Sequence, residues 1–204
     1  MAVSDVQAVF ITADTVALDA DGISAAAAVG EDAALVIEGA LASGGSCTFN
    51  AGRIVTILSA GDDSGISFTA TGTDVSGDSQ TESITGANAG TATGSKYFKT
   101  VSGISAVGDP AGNVSAGVNA SVGDVIFAGR MRLRGVFTVN SATAGTVSFT
   151  TTSPAGSSLM KLGTVASATV SRDVTIPDEG IVFASGGYIQ YTVATFTNMT
   201  AYHA

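Results

Sequence analysis

The sequence predicts an all-β fold of two antiparallel β-sandwich or jelly-roll-like domains with little helix. Short segments rich in Val, Ile, Thr and Phe recur about every ten residues between clusters of Gly, Asn, Asp and Ser, which is the spacing of strands in sandwiches and jelly rolls. No stretch shows sustained helical periodicity. Parallel α/β folds need crossover helices of roughly a dozen or more residues, so the antiparallel all-β class remains.

The beginning of the chain predicts an N-terminal arm or edge strand. Apolar residues in the segment 3–18 are separated by Asp and Thr. Residues 19–22 have turn chemistry, because Gly permits positive φ and Asp side chains accept bonds from nearby amides. The alanine run 25–28 lies between Gly22 and Gly30, which leaves room for a helix of under about two turns, so we expect a loop there.

The first domain, residues 1–127 including the arm, is predicted to contain a series of short strands. They are expected at residues 35–37, 47–49, 53–58, 66–71, 80–85, 97–101 and 114–118. Two of these alternating segments flank a polar turn from Asp74 to Asp78, which is typical of a β-hairpin. We expect both carboxylates to act as turn formers that fix the register of the hairpin.

The second domain is predicted to cover residues 128–204. Residues 119–124 read as a turn-rich connection, and 125–127 as a final strand or a spacer. The strands that follow are expected at residues 131–139, 146–151, 159–162, 164–170, 173–176, 181–183 and 188–196. About seven short strands are enough for a small β-sandwich.

Low charge is the most unusual feature of the composition. Charged residues make up 12% of the 204 residues, about half the usual share, whereas hydrophobic residues stand at an ordinary 45%. The surface must therefore consist mostly of Ser, Thr, Gly, Ala and Asn. Such a surface repels neighbours weakly, which favours a component of an assembly over a freely diffusing monomer.

Charge and cysteine content exclude several classes of protein. The formal net charge is −9 and only eight residues are Lys or Arg, so we expect no nucleic-acid partner. Cys47 is the single cysteine, which excludes an internal disulfide and a multi-cysteine zinc site. We expect it to be a small core residue of a strand.

Targeting signals are not evident. The first residues, Met-Ala-Val-Ser-Asp, lack a basic region followed by an apolar stretch, so we expect no secretory signal and synthesis in a cytoplasm. No window approaches eighteen uninterrupted apolar residues, so we expect no membrane partner.

Enzymatic interpretations find little support, and we predict no catalytic residue and no cofactor. The only histidine, His203, is the penultimate residue, a poor place to build a nucleophile–base pair. The sequence contains no Gly-x-Ser-x-Gly elbow and no phosphate-binding Gly-x-x-x-x-Gly-Lys. Asp74 and Glu82 as glycosidase carboxylates would need aromatic sugar platforms, yet the chain has no Trp and four Tyr.

Paired carboxylates in turns are the only candidates for metal binding. They are Asp19 with Asp21, Asp62 with Asp63, and Asp74 with Asp78. Oxygen-rich loops of this kind can hold calcium, but the spacing matches no known loop template. Carboxylates in β-turns more often accept bonds from backbone amides, so we predict turn formation and no metal site.

The segment Arg130-Met-Arg-Leu-Arg134 is the most organised charged feature. On a strand of period two, Arg130, Arg132 and Arg134 project from one face while Met131 and Leu133 point into the core. One interpretation is a solvated face of a sheet. The other is that an acidic protein gathers three of its eight basic groups to bind an acidic partner or a sister subunit. These three arginines are the predicted partner-binding residues.

Several segments of the first domain resemble a module common in the virion structural proteins of tailed bacteriophages. The likeness is carried by Ala40-Leu-Ala-Ser-Gly-Gly45, Arg53-Ile-Val-Thr-Ile57, Ser59-Ala-Gly-Asp-Asp-Ser-Gly-Ile-Ser-Phe68, Thr71-Gly-Thr-Asp74, Thr81-Glu-Ser-Ile-Thr-Gly-Ala-Asn-Ala-Gly90 and Tyr97-Phe-Lys-Thr-Val101. It covers residues 20–118 approximately. The C-terminal part resembles the small β-domains that phages append to head or tail components. Because these motifs mark turns and strands, the resemblance transfers no functional residues.

The resemblance implies a non-enzymatic virion protein, made in the host cytoplasm and located in the virion. Within that class we favour a capsid decoration or cement protein that binds the outer head surface and stabilises it. Its expected partners are the major capsid protein and copies of itself, as a homo-oligomer with a trimer favoured. In this interpretation the arm and the first domain hold the shell and the second domain projects outward.

Two alternatives stay open. One is a tail or neck component, such as a fibre, tip or collar protein, including one that binds a host receptor. Sugar recognition favours exposed aromatics, which we expect the chain to lack, and Tyr188 and Tyr191 are the residues whose mutation would test it. The other is a bacterial adhesin or carbohydrate-binding module, which would need an export signal.

Overall fold

The computed structural model describes residues 5–204, and the described chain consists of strands, turns and loops without helix. The all-β prediction is therefore confirmed. The strands, in chain order, are β1 (Gln7–Thr12), β2 (Asp19–Ala28), β3 (Ala42–Ser43), β4 (Ser46–Ser59), β5 (Ser67–Thr73), β6 (Ser79–Thr85), β7 (Thr91–Val107), β8 (Asn113–Phe127), β9 (Met131–Asn140), β10 (Gly145–Thr151), β11 (Ser158–Thr164), β12 (Ser171–Thr175), β13 (Ile181–Phe183), β14 (Gly187–Thr192) and β15 (Phe196–His203).

The chain divides into two compact units. Residues Ala17–Ala120 form one, which we call the inserted unit. The other, the split unit, combines Ser121–Ala204 with the described residues up to Val16. This division differs from the predicted domains 1–127 and 128–204. The break falls inside the predicted connection, but the N-terminal segment clusters with the C-terminal part because β1 pairs with β15.

The inserted unit is built around one antiparallel sheet. Its strand order is the first part of β8, then β4, β7, β5 and β6, with β2 also paired to β8 and β3 to β4. Its core gathers apolar side chains from nearly all of these strands. They include Ile23, Phe49, Ile57, Phe68, Phe98 and Ile104.

The split unit contains two antiparallel sheets. The first has the order β1-β15-β9-β12, with β13 also paired to β9. The second comprises β11, β10, β14 and the last part of β8. The Tyr191 ring on β14 packs against Phe196 on β15 with centroids 4.7 Å apart, so the two sheets face each other as in a sandwich.

The predicted hairpin is confirmed. Strands β5 and β6 pair without a register shift from Ser67–Thr85 to Thr73–Ser79. In the turn, Asp74 Oδ1 accepts hydrogen bonds from the amides of Ser76 and Asp78, at 2.8 and 3.0 Å. Gly77 has a φ of 91°, a conformation that glycine adopts without steric cost. The turn residues between β5 and β6 were therefore enough to predict this hairpin from the sequence.

Four secondary-structure predictions are wrong, two of them strands and two of them loops or connections. Residues 35–37 lie outside any strand, and the neighbouring Ala34 makes only an isolated bridge to Ser105. Residues 165–170 form turns and loop after β11 has ended. The expected loop at 19–28 is strand β2, since pairing with β8 outweighs the weak β-propensity of its alanines. The expected connection at 119–124 continues strand β8.

Strand boundaries also differ at two places. The predicted strands 47–49 and 53–58 are one strand, β4, whose pairing with β7 shifts register between Thr48 and Arg53. The predicted strand 188–196 is two strands, β14 and β15, joined by a tight turn. The predicted edge strand near the N-terminus is β1, and the part of the predicted arm before residue 5 lies outside the described residues.

Candidate interaction surfaces

Arg130, Arg132 and Arg134, which we call the arginine strip, alternate with buried apolar residues as predicted. Met131 and Leu133 are almost fully buried in the split unit, whereas Arg130 is exposed and Arg132 and Arg134 are half-buried on the opposite face of β9. Arg132 Nη1 lies 3.1 Å from Glu179 Oε2. Part of the strip is therefore already paired within the chain, and its role in binding a partner stays a prediction.

The arginine strip shares its sheet face with exposed aromatic side chains. In the register of the first sheet, Phe10 lies opposite Thr200, which lies opposite Phe137. Residues directly opposite each other in antiparallel strands project from the same face. Phe10 is 65% exposed and Tyr202, on the same face of β15, is 38% exposed. The sequence analysis predicted an arm or edge strand here and did not identify this exposed aromatic face.

The open edges of the sheets differ in chemistry. Edge strand β11 contains the exposed Lys161, and β12 contains Arg172 and Asp173. On edge strand β6 the Thr81 carbonyl accepts a bond from the charged Nζ of Lys96 at 2.8 Å. Charged side chains on an edge discourage pairing with another chain. The short β3 and β13 and the doubly shifted β2 offer little regular edge. Strand β1 is six residues long, carries no charge or proline, and pairs with β15 without a register shift.

The acidic turns use their carboxylates within the chain. Asp62 Oδ1 accepts bonds from the amide and hydroxyl of Ser64, which lower the pKa of Asp62. The carboxylate of Glu82, 9% exposed, accepts bonds from the Ser95 amide at 2.6 Å and the Ser95 hydroxyl at 2.8 Å. Among the described residues, no group of three or more His, Cys, Asp or Glu is arranged to hold a metal ion.

Cys47 and His203 are both buried. Cys47 is fully buried in the core of the inserted unit, where burial raises its thiol pKa to about 11 and leaves little reactive thiolate. His203 is 4% exposed and stacks on Phe127 with ring centroids 5.3 Å apart. Burial lowers the pKa of His203 and favours the neutral imidazole. Both side chains serve as packing groups.

A polar depression of about 180 Å³ lies on the second sheet of the split unit. It is lined by Ser121, Thr146, Ser148, Gln190, Tyr191 and Thr192. Tyr188 and Tyr191, the two tyrosines whose mutation would test sugar recognition, are 7% and 3% exposed. The Tyr191 hydroxyl accepts a bond from the Asp14 amide at 3.0 Å. Neither ring presents an open face on which a sugar could stack.

Charge is distributed unevenly between the two units. The inserted unit has eleven acidic and three basic residues, a net charge of −8, and the split unit has six acidic and five basic residues, a net charge of −1. Large exposed apolar side chains are fewer in the inserted unit than in the split unit. Those in the inserted unit are Leu18, Val36, Leu58 and Val107. Those in the split unit are Val6, Phe10, Val16, Phe127, Leu159, Val165, Val170, Val182 and Tyr202.

Comparison with known proteins adds no relative. No protein-family profile matches the chain, and no curated protein or solved structure is significantly similar to it. The resemblance to phage virion modules therefore rests on the sequence pattern alone. The part of the chain that the structure describes contains no helix long and apolar enough to cross a membrane.

Proposed function

We propose that the chain is a structural protein of a bacteriophage virion, and within that class a decoration or cement protein that binds and stabilises the outer capsid surface. The observation that carries the proposal is the surface of the split unit, which is nearly neutral and exposes large apolar side chains on an all-β scaffold. Such a surface suits lasting contact with other subunits better than free diffusion.

The distribution of charge favours the split unit as the part that contacts the capsid. The inserted unit, at −8, has the charge that keeps a surface hydrated and discourages association with like-charged neighbours. This assignment reverses the expectation that the first domain holds the shell. The N-terminal segment supports this assignment, because it pairs with β15 and belongs to the split unit.

The tail or neck alternative has weaker support. A receptor-binding tip that recognises sugars needs aromatic faces open to solvent near polar groups. The polar depression beside Gln190 has a buried tyrosine in its lining and no exposed ring. A glycan-array signal that disappears on mutation of Gln190 would restore this alternative.

Electron microscopy of the native particle, labelled with antibodies against the chain, tests the proposal directly. A decoration protein predicts labels distributed over the head. Labels confined to one position on the tail or neck would replace the decoration role with the alternative. Particles without any label would remove the virion assignment altogether.

The contribution of the arginine strip is tested by charge reversal. Arg132→Glu removes the pair with Glu179 and places a negative charge between Arg130 and Arg134. We expect weaker binding to assembled heads, measured by co-sedimentation. Arg172→Glu is the matched control, because Arg172 is exposed on β12 but lies outside the strip. Equal binding by wild type and Arg132→Glu would remove the strip from the contact surface.

A further inference from the structure

Strand β1 presents an open edge with the features that promote pairing between chains. Only β15 pairs with it among the described strands. It contains no charged residue, no proline and no bulge, which are the means by which edge strands normally avoid association. Edge strands β11 and β12 carry exposed charged residues, and on edge strand β6 the Thr81 carbonyl accepts a bond from the charged Nζ of Lys96. Among the regular edge strands described, β1 is therefore the one best suited to pair with another chain.

The backbone groups that point to this open edge follow from the hydrogen-bond pattern. The Ala13 amide donates to the Thr197 carbonyl at 3.2 Å, a position that continues the register of β1 with β15. In an antiparallel pair, alternate residues direct both backbone groups to the partner strand. The amides and carbonyls of Ala8, Phe10 and Thr12 are therefore directed away from β15, toward the open edge.

We propose that two copies of the chain associate through β1, pairing antiparallel about a two-fold axis at Phe10. This register places Phe10 opposite Phe10 of the second copy, and Ala8 opposite Thr12 at both ends. All outward backbone groups of the three residues then find partners, in about six hydrogen bonds. A two-fold contact of this kind is self-complementary, so one uncharged strand supplies both sides of it.

The side chains of β1 support the same register. Phe10 is 65% exposed on the outer face of the first sheet. Facing aromatic rings on one side of an antiparallel pair stabilise it. The two first sheets would merge into one continuous sheet across the axis, with both exposed phenylalanines covered. This two-fold association replaces the trimer expected from the sequence, and it is independent of the proposed role in a virion.

Mass measurement with edge variants tests the inference. Sedimentation velocity of the wild type should give twice the chain mass of 20.0 kDa. Phe10→Lys puts a charge on the strand, and Ala8→Pro removes an amide that points to the open edge while leaving the bonds to β15 intact. Both variants should sediment as monomers. Leu18→Lys is the matched control, because Leu18 is 66% exposed and lies outside β1, and it should remain a dimer.

A disulfide variant tests the register even if an edge variant folds poorly. Opposed residues that exchange both hydrogen bonds lie with Cα atoms about 5.5 Å apart, within the range of about 4.4–6.8 Å for disulfides. Because Cys47 is buried, Phe10→Cys adds the only accessible thiol. Mild oxidation should link two copies of Phe10→Cys and leave Leu18→Cys unlinked.

Three outcomes would overturn the inference. The first is a wild type that remains monomeric at high concentration or forms a trimer. The second is a dimer that persists in both edge variants. The third is equal crosslinking of Phe10→Cys and Leu18→Cys.

Discussion

The inserted unit and the split unit have opposite kinds of surface on the same all-β scaffold. The inserted unit has a net charge of −8 and few large exposed apolar side chains, whereas the split unit has a net charge of −1, more exposed apolar side chains and an uncharged open edge. The low charge of the chain is therefore an average over two unlike parts. Composition alone conceals that one unit is well hydrated and the other is suited to contact.

Carboxylates of both units accept bonds from backbone amides. In the inserted unit, Glu82 and Asp74 do so and hold turns and strands in register. In the split unit, Asp14 likewise accepts an amide bond, and Glu179 pairs with Arg132 on the surface. An exposed pair of this kind is worth little to stability, whereas a buried carboxylate with amide donors is worth more. The two units therefore differ in the number of their acidic residues and not in whether carboxylates bond the backbone.

The largest expected effect is on the core of the inserted unit. Phe68 is fully buried on β5, so Phe68→Ala should lower the free energy of unfolding by about 3–5 kcal/mol, through lost burial and the cavity left behind. Urea unfolding measures the change. Leu18→Ala is the control, because Leu18 is 66% exposed and its loss should change stability by under about 0.5 kcal/mol. Equal losses in both variants would contradict the burial of Phe68.

A smaller effect is expected at Glu82. Glu82→Ala removes the acceptor for the Ser95 amide and hydroxyl and for the Lys96 amide, so it should cost about 1.5–3 kcal/mol of unfolding free energy. Glu38→Ala, at an exposed carboxylate, should be close to neutral. If the two variants have the same denaturation midpoint, the carboxylate does not hold β6 against β7.

The smallest expected effect is a pH dependence confined to the split unit. His203 has a lowered pKa because burial disfavours its charged form. Between the lowered pKa and the ordinary value the unfolded chain binds more protons, so stability should fall as pH drops through this window and level off below it. Thermal unfolding from neutral to acidic pH, followed by a probe in β15, measures the fall.

The controls for this pH dependence come from the chain itself. The inserted unit contains no histidine and should not show this step. His203→Phe keeps an aromatic ring against Phe127 and should abolish it. A step that survives in His203→Phe would assign the titration to another group.

Sequence reasoning succeeded where the determining contacts are local. The hairpin of β5 and β6 follows from alternation around one turn, and the placement of Met131 and Leu133 in the core follows from the period of a strand. It failed where pairing is distant in sequence. Nothing near β1 indicates that its partner is β15, and the alanines of β2 are strand residues only because β8 lies beside them.

The candidate interaction surfaces, like the fold, could be predicted from the sequence only where they depend on residues close together in the chain. The arginine strip could be found from its spacing, but its pair with Glu179 could not, because β9 and the loop before β13 meet only in the folded chain. The exposure of Phe10 also escaped prediction. A hydrophobic pattern gives the two faces of a strand but not which of them the rest of the protein covers.

Hydrogen exchange at two protein concentrations tests most directly the claim that the split unit makes the contacts. We expect amides of β1 to exchange more slowly in concentrated than in dilute protein, and amides of the hairpin formed by β5 and β6 to exchange equally in both. Exchange at β1 that is independent of concentration, or slowing that occurs in the hairpin instead, would contradict it.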